Sequence, residues 1–332
     1  MTSTTRDDHY RSRRERPPAG ADLALRLPSP LVEVRDDRLD RHGVRLLLKR
    51  DDLIHPELPG NKWRKLKYNL ARAAERPDRP LLTFGGAWSN HIRAVAAAGH
   101  HFGFATIGVI RGEEHLPLNP TLAYAVSRGM RLTYLDRSTY RRKHTPEVVD
   151  RLRRRFGDVF LLPEGGSNDL AVRGCAEIPA EIAEPYDVIC CPVGTGGTLA
   201  GIAAGAAAGS TYGVAAGSAR VAADRPGRRD TGPRAIGFPV LKGGEFLAAE
   251  VDRLQHETYG RGSGNWQLEC GFHFGGYAKR TAVLDGFIAD WADRHGTALD
   301  RIYVAKMMYG TVELARAGAF PPDSTVVAVV TG

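Results

Sequence analysis

The chain has 332 residues, 42% of them apolar and 25% charged, which is typical of a soluble globular protein with two domains or one large domain. No stretch approaches the roughly 20 apolar residues of a membrane span, and residues 1–20 are too polar for a secretory signal. The net charge is +8, yet only eight of the 46 basic residues are lysines. Lysine-based chemistry therefore has few candidate residues.

The positive charge is concentrated in residues 1–20, 137–155 and 220–234. Solvated surface is the simplest explanation, so we expect neither a nucleic-acid nor a membrane partner. The four cysteines form no C-x-x-C pair, which favours reduced thiols and predicts a cytoplasmic protein. The eleven histidines are scattered, and no metal site is expected.

Residues 1–20 are predicted to be a disordered tail, after which short apolar segments alternate with segments of helical spacing. Strands are predicted at 44–49, 81–84, 104–110, 130–135, 159–162 and 187–192. Helices are predicted at 62–74, 89–100, 120–128, from 145 onward and at 168–183 with an interruption at Pro179, and residues 194–208 are predicted to be a glycine loop that runs into a helix. Residues 209–233 read as a long loop or weak element, and the alternation then resumes up to a final strand at 325–330. Repeated strand–helix units predict an α/β fold with mostly parallel sheet covered by helices.

The first motif is GNKWRKL at residues 60–66. It places Lys62 at a loop-to-helix junction, where the helix dipole lowers the pKa of an amine and favours the neutral nucleophile. A solvated lysine on a basic helix is the commoner explanation of one such lysine.

The second motif is GGAWSNHIR at residues 85–93, which follows a predicted strand. Glycines there allow a ligand to approach the backbone, and Ser89 and Asn90 at a helix start present N–H groups to an anion such as a carboxylate. An ordinary helix cap after a tight turn explains the motif equally well.

The third motif is GTGGT at residues 194–198, between a predicted strand and a predicted helix. Its backbone N–H groups and two hydroxyls suit an anion of phosphate size. It lacks the Gly-Lys-Ser/Thr of a P-loop and departs from G-x-G-x-x-G, so a monophosphate cofactor fits better than a dinucleotide. The alternative is a flexible turn.

The fourth group is HFGGY at residues 273–277, with Tyr303, Lys306 and Thr331 further along. Tyrosines can stack on a substrate or protonate it. Individually these residues carry little signal, and packing in the core is the default interpretation.

Together the motifs resemble the family of 1-aminocyclopropane-1-carboxylate deaminases and D-cysteine desulfhydrases, over about residue 28 to the C-terminus. The matching blocks, in chain order, are KRDDL (49–53), GNKWRKLKYNL (60–70), GGAWSNHIRA (85–94), IGVIRGEE (107–114), PEGGSN (163–168), GTGGTLAGI (194–202), LKGGEFL (241–247), HFGGYAK (273–279) and KMMYG (306–310). The resemblance implies pyridoxal 5'-phosphate as cofactor and the two-domain fold type II of the tryptophan synthase β-subunit. Each domain is then a mostly parallel twisted sheet flanked by helices. The implied domains are residues 21–60 with 165–332, larger and cofactor-binding, and residues 61–164, smaller. A homodimer is expected on the same ground.

The resemblance also implies roles for single residues. Lys62 is the Schiff-base lysine, and Asn90 contacts the cofactor's 3-hydroxyl oxygen. Ser89, Asn90 and His91 bind the substrate carboxylate, and Ser89 is also a candidate proton relay. The phosphate is held by Gly194, Thr195, Gly196, Gly197 and Thr198. Tyr277 and Tyr303 match positions on the substrate side with catalytic roles, and Thr331 matches a position near the cofactor's ring nitrogen.

The residue at the ring nitrogen bears on the choice of reaction. A carboxylate there keeps the ring protonated and strengthens the electron sink, whereas a hydroxyl leaves it neutral. The deaminases of the family carry a Glu after the tyrosine that matches Tyr303 and a Leu at the position of Thr331, while this chain has Val304 and Thr331. The leading interpretation is therefore β-elimination from a small amino acid, with D-cysteine giving pyruvate, sulfide and ammonia. The alternatives are 1-aminocyclopropane-1-carboxylate deamination to 2-oxobutanoate and ammonia, β-replacement, and cofactor binding without turnover.

Overall fold

The computed structural model describes residues 23–212 and 232–332, which form ten strands and twelve helices. The strands are β1 (Leu31–Val34), β2 (Val44–Lys49), β3 (Leu81–Gly85), β4 (Thr106–Arg111), β5 (Met130–Leu135), β6 (Phe160–Leu162), β7 (Val188–Val193), β8 (Arg234–Pro239), β9 (Trp266–Leu268) and β10 (Ser324–Val329). The helices are α1 (Asp37–Asp40), α2 (Asn61–Ala73), α3 (Asn90–Phe102), α4 (Pro120–Ser127), α5 (Arg137–Arg141), α6 (Pro146–Phe156), α7 (Asp169–Cys175), α8 (Glu177–Ala180), α9 (Gly197–Tyr212), α10 (Leu247–Tyr259), α11 (Ala282–His295) and α12 (Val304–Arg316).

The strands form two sheets. The larger has the order β1-β2-β10-β7-β8-β9, and all its pairs are parallel except β1 with β2. The smaller has the order β5-β4-β3-β6 and is parallel throughout. Helices pack on both sheets, so the predicted α/β class with mostly parallel sheet is confirmed.

The smaller sheet takes all its strands from residues 81–162, and the larger takes its strands from residues 31–49 and 188–329. Helix α2 lies against α7, because Gly174 lets the Arg64 carbonyl approach within 1.9 Å of where a Cβ would stand. Helix α2, which carries Lys62, therefore packs on α7, which in turn packs on α9 beside strands β7 and β8 of the larger sheet. The domain boundaries given above stay a prediction.

Most elements predicted from the sequence are present, with corrections at four places. The strand predicted from 104 begins at Thr106, and the helix predicted from Ser89 begins at Asn90 with Ser89 as its cap. The helix predicted at 168–183 is two short helices that meet at Ala176, because Pro179 can neither donate to nor fit beside the carbonyl four residues earlier. Residues 209–212, predicted to be loop, complete helix α9.

Two other predictions concern residues that the structure does not describe. The tail at 1–20 and most of the weak element at 209–233 lie outside the described ranges.

No helix in the described ranges is long and apolar enough to cross a membrane. All four cysteines are free, and three of them are buried.

Helix α9 owes its position to small residues. It is rich in Ala and Gly, and Leu199 and Ile202 are fully buried against α7, α8 and α10. Gly205 allows the closest approach, since a Cβ there would lie 2.2 Å from the Ala176 carbonyl oxygen. Close packing fixes the N-terminus of α9 at the carboxyl end of β7, where parallel α/β sheets bind ligands.

A buried ionic network ties α2 to the larger sheet. Arg64 donates to Asp51 at 3.0 and 3.1 Å and to Glu181 at 2.5 and 2.8 Å, and Lys49 donates to Glu181 at 2.7 Å. The side chains of Arg64, Asp51 and Lys49 are at most 1% exposed. The network closes the segment just before Lys62, since the Gly60 N–H donates to the Asp51 carbonyl at 2.8 Å.

We expect Arg64→Ala to lower the free energy of unfolding by about 3–5 kcal/mol, because it leaves the buried Asp51 carboxylate without a cation and Glu181 with Lys49 alone. Urea unfolding followed by tryptophan fluorescence measures the change. Arg253→Ala is the matched control, since Arg253 forms exposed ion pairs with Glu250 and Glu257 and should cost at most about 1 kcal/mol. Equal losses in the two variants would contradict the prediction.

Candidate active site

A cavity of about 350 Å³ lies between the two sheets, with walls from both. Of the residues predicted for the site, all but Gly197 line it. They are Lys62, Ser89, Asn90, His91, Gly194, Thr195, Gly196, Thr198, Tyr277, Tyr303 and Thr331. Segments up to about 270 residues apart in the sequence therefore meet in one place.

The glycine loop at residues 194–198, predicted from the sequence to bind an anion, connects β7 to α9 and lines the cavity. Gly196 has φ +80°, a left-handed conformation that glycine adopts without strain. The loop stands at the N-terminus of a helix of 16 residues, whose unpaired N–H groups and dipole favour an anion. Gly197 begins α9 and does not line the cavity, so we expect it to contribute through its backbone alone.

Lys65 lies beneath this loop, a position that motif analysis missed. Its Nζ donates to the Gly165 carbonyl at 3.1 Å, Ser167 Oγ at 3.0 Å and Thr195 Oγ1 at 3.4 Å. Lys65 is 3% exposed, and within residues 23–212 and 232–332 no carboxylate pairs with it. Burial lowers the pKa of Lys65, and an anionic ligand beside the amine would favour its charged form, so the loop and Lys65 together fit the phosphate of the implied cofactor. The available signal was its spacing, three residues after Lys62 on the same helix face.

Lys62 stands at the first turn of α2, where its neighbours fix it. Gly60 has φ +56°, and a Cβ there would lie 1.8 Å from the Thr331 carbonyl oxygen, so only glycine lets the two chain segments meet. Lys62 Nζ donates to Asn61 Oδ1 at 2.6 Å, and Asn61 Nδ2 donates to Thr198 Oγ1 at 2.9 Å. Asn61, which sequence reasoning did not select, thus links the lysine to the anion loop.

Lys62 and Lys65 differ in the number of hydrogen bonds that their amines donate. Lys65 has three acceptors, which match its three N–H donors, whereas Lys62 has one. The sequence-selected Lys306 is also occupied, because its Nζ donates to the carbonyls of Val240, His273 and Gly276. Lys306 therefore holds the loop before Tyr277, and Lys62 is the cavity lysine with an amine available for chemistry.

The protonation of Lys62 leads to a pH prediction. Burial, followed by the positive charge of Lys65, lowers the pKa of Lys62 from 10.5 to about 7. The neutral amine is the nucleophile, so covalent attachment of an aldehyde cofactor to the apoprotein should accelerate as pH rises, with a midpoint at about pH 7. Stopped-flow absorbance from about pH 5 to 9 measures this profile. A rate that continues to rise tenfold per pH unit up to pH 9 would show an ordinary lysine.

The start of α3, predicted to bind a carboxylate, lines the cavity with Ser89, Asn90 and His91. Ser89 caps the helix by accepting from the Ile92 N–H at 3.3 Å, and the first-turn N–H groups that follow lack partners within the helix. The His91 ring is not free for an ionic role. Its Nε2 lies 2.8 Å from Thr83 Oγ1, and burial together with the charges of Lys62 and Lys65 lowers its pKa to about 3. A neutral His91 can serve a carboxylate through its backbone N–H.

Tyr277 and Tyr303 also line the cavity. The rings of Tyr277 and Tyr303 meet edge to face, with 6.1 Å between centroids. Burial and the neighbouring Tyr277 raise the pKa of Tyr303 well above its usual value, so its hydroxyl keeps its proton. Asp300 accepts from the backbone N–H of Tyr303 at 2.6 Å and of Val304 at 3.1 Å, which fixes the start of α12. Val304 is fully buried and does not line the cavity, while Thr331 does.

The opening of the cavity contains residues that the sequence reading did not select. Trp88 is 60% exposed there, and Arg111 and Glu164 also line the wall. Arg111 ends β4, and Glu164 follows β6, so the two flank β3 and its carboxylate loop. Both stand at carboxyl ends of parallel strands, which was the available signal.

Comparisons with known proteins agree with this geometry. Residues 24–332 match the family model described as pyridoxal-phosphate dependent enzyme. The protein of Pyrococcus furiosus named "Putative 1-aminocyclopropane-1-carboxylate deaminase" is 31% identical over 288 residues, 83% of this chain and 81% of that protein. The Arabidopsis thaliana protein named bifunctional D-cysteine desulfhydrase/1-aminocyclopropane-1-carboxylate deaminase, mitochondrial, is 27% identical over 293 residues, 82% of this chain and 67% of that protein.

Among solved structures, one described as an ACC deaminase homologue superposes with a TM-score of 0.77 at 26% identity. The superposition covers 93% of this chain and 90% of that one. Both the predicted fold type and the predicted cofactor are confirmed by these comparisons. The chain belongs to the pyridoxal-phosphate dependent enzyme family.

Proposed function

We propose that this enzyme catalyses β-elimination and deamination of a small amino acid, with D-cysteine as the leading substrate. The observation that carries the proposal is the available amine of Lys62 in a cavity that the glycine loop 194–198 and the start of α3 also line. We assign the cofactor phosphate to the loop and the substrate carboxylate to the start of α3. A lysine in that position can hold an aldehyde cofactor and then reach the Cα of a bound amino acid. For D-cysteine, one water enters and pyruvate, hydrogen sulfide and ammonia leave.

Each site residue has a part in this chemistry. The loop at 194–198 and Lys65 hold the phosphate, and the N–H groups of Asn90 and His91 hold the substrate carboxylate. Lys62 removes the Cα proton, since its pKa, lowered to about 7, leaves a large fraction of the amine neutral at neutral pH. Tyr303, which keeps its proton, donates toward the leaving group. When bound, pyridoxal phosphate supplies an electron sink for the charge that develops at Cα.

The hydroxyl of Thr331 favours elimination over cyclopropane opening. Thr331 follows β10, is 3% exposed and lines the cavity beside Gly60, where we place the cofactor's ring nitrogen. Val304 cannot supply a carboxylate there. A neutral ring is a weaker sink, which suffices for loss of a proton next to a good leaving group.

The second candidate is 1-aminocyclopropane-1-carboxylate deamination, which the names of the relatives favour equally. Purified holoenzyme offered D-cysteine, L-cysteine and 1-aminocyclopropane-1-carboxylate separates the candidates. Pyruvate with sulfide supports elimination, and 2-oxobutanoate with ammonia supports ring opening. A product that retains the amino group indicates β-replacement, and no product from any amino acid indicates a binding protein.

A further inference from the structure

Arg111 is a cation at the opening of the cavity that the proposed reaction does not use. It is the last residue of β4, is exposed, and lines the cavity. Strand β4 pairs with β3, whose loop carries Ser89 and Asn90. Arg111 Nη2 lies 3.7 Å from where a Cβ on Gly86 would stand, so the guanidinium sits over the beginning of the carboxylate loop.

This guanidinium lacks a protein partner in the described part of the chain. Neither a hydrogen bond nor an ion pair joins it to residues 23–212 or 232–332, although the exposed Glu113 and Glu114 follow it closely. The acid on the same cavity wall, Glu164, is engaged elsewhere. It accepts from the Tyr140 hydroxyl at 2.8 Å and pairs with Lys143 Nζ at 3.0 Å.

The charge of Arg111 is not cancelled on the cavity wall. Glu113 and Glu114 do not line the cavity, and the Glu164 carboxylate, which does, is already paired with Lys143. Deeper in the site, Lys65 is matched by the phosphate and the α3 N-terminus by the α-carboxylate. The positive charge that remains is that of Arg111, whose planar fork suits a carboxylate, sulfonate or phosphate.

We propose that Arg111 recognises an anionic group on the side chain of the substrate. The substrate class is then a small α-amino acid with a second acidic group, preferred over D-cysteine. This inference rests on the proposed function, since it assumes that the α-carboxylate occupies the α3 site. When the acidic group is a phosphate or a sulfonate, it can itself leave from Cβ with the bonding electrons, as phosphate or sulfite, while Lys62 takes the Cα proton; a carboxylate is bound by Arg111 but does not leave in this way. Water then completes the 2-oxo acid and ammonia.

The test uses holoenzyme and pairs of amino acids that differ in side-chain charge. The pairs are aspartate with asparagine and O-phosphoserine with serine, in both enantiomers, titrated by calorimetry and by the visible absorbance of the bound cofactor. The acidic member should bind more tightly, and Arg111→Gln should weaken its binding by about 10- to 100-fold, as expected for a lost charge-assisted hydrogen bond. Binding of the neutral member should stay within about twofold.

Arg137→Gln is the matched control. Arg137 is an exposed arginine just after the next strand, β5, and does not line the cavity. The Arg137→Gln variant should therefore bind all four amino acids with wild-type affinity. Equal weakening of acidic and neutral members by Arg111→Gln would mean that Arg111 binds the α-carboxylate, which overturns the inference. Equal binding of both members by the wild type also overturns it. Failure of the proposed function would give a different result, because neither neutral nor acidic amino acids would then release a 2-oxo acid, whatever their affinities.

Discussion

Lys62→Ala is expected to abolish covalent attachment of pyridoxal phosphate and to lower turnover by at least about 10²- to 10⁴-fold, the usual contribution of a positioned acid–base group. The Lys62 amine donates one hydrogen bond, whereas the Lys65 amine donates three, so the Lys62 amine is the one available to attach the cofactor. Borohydride reduction of the holoenzyme, followed by peptide mass mapping, should find the cofactor on Lys62 in the wild type and on no peptide in the variant.

Lys65→Ala is the matched control for this experiment, because it removes a lysine from the same helix and the same cavity. It should still carry the cofactor on Lys62 when saturated with it. Reduced cofactor found on Lys65 in the wild type, or full turnover by Lys62→Ala, would overturn the assignment.

Lys65→Ala itself is expected to weaken binding of pyridoxal phosphate by about 30-fold or more. Truncation of one partner of a buried, hydrogen-bonded charge pair costs about 2–5 kcal/mol, and 1.4 kcal/mol corresponds to tenfold in affinity. Equilibrium dialysis of the apoprotein measures the change. The variant should also shift the pH midpoint of cofactor attachment upward, because the positive charge of Lys65 is one of the two main causes that lower the pKa of Lys62.

Pyridoxal without its phosphate is the control ligand. If Lys65 acts on the phosphate, its removal should leave the affinity for pyridoxal within a few-fold of the wild type. A parallel loss for both ligands would indicate collapse of the cavity, and no loss for either would show that the phosphate lies elsewhere.

The sequence predicted the elements best where a short apolar segment followed a glycine. Strands β2 and β5, which follow Gly43 and Gly129, are present at the predicted positions. Of Ser89 and Asn90, the two residues placed at the predicted start of α3, Ser89 is the cap. Strand β1 was not predicted, because its four residues are only partly buried at the edge of the larger sheet. The end of α9 was missed because its Ala and Gly residues, buried on all sides near Ile202, give no amphipathic period.

The candidate site shows a similar division. Motifs that combine glycine with a polar group, such as those around Lys62 and Thr195, were recognisable because close backbone approach leaves a pattern in the sequence. The sequence did not single out Asn61, Lys65 and Arg111, because no local pattern distinguishes them from other polar residues. Their roles depend on the partners they gain or lack, which are far away in the chain.

By itself the sequence determined the α/β class and, through the resemblance of its ordered motifs, the cofactor, because both leave a pattern along the chain; the anion and carboxylate loops stay its predictions. Only the tertiary structure decided which lysine amine is available, that His91 is neutral, and that Arg111 lines the cavity without a hydrogen-bond or ion-pair partner among the described residues. Burial and distant neighbours set protonation and pairing, and no single segment contains them.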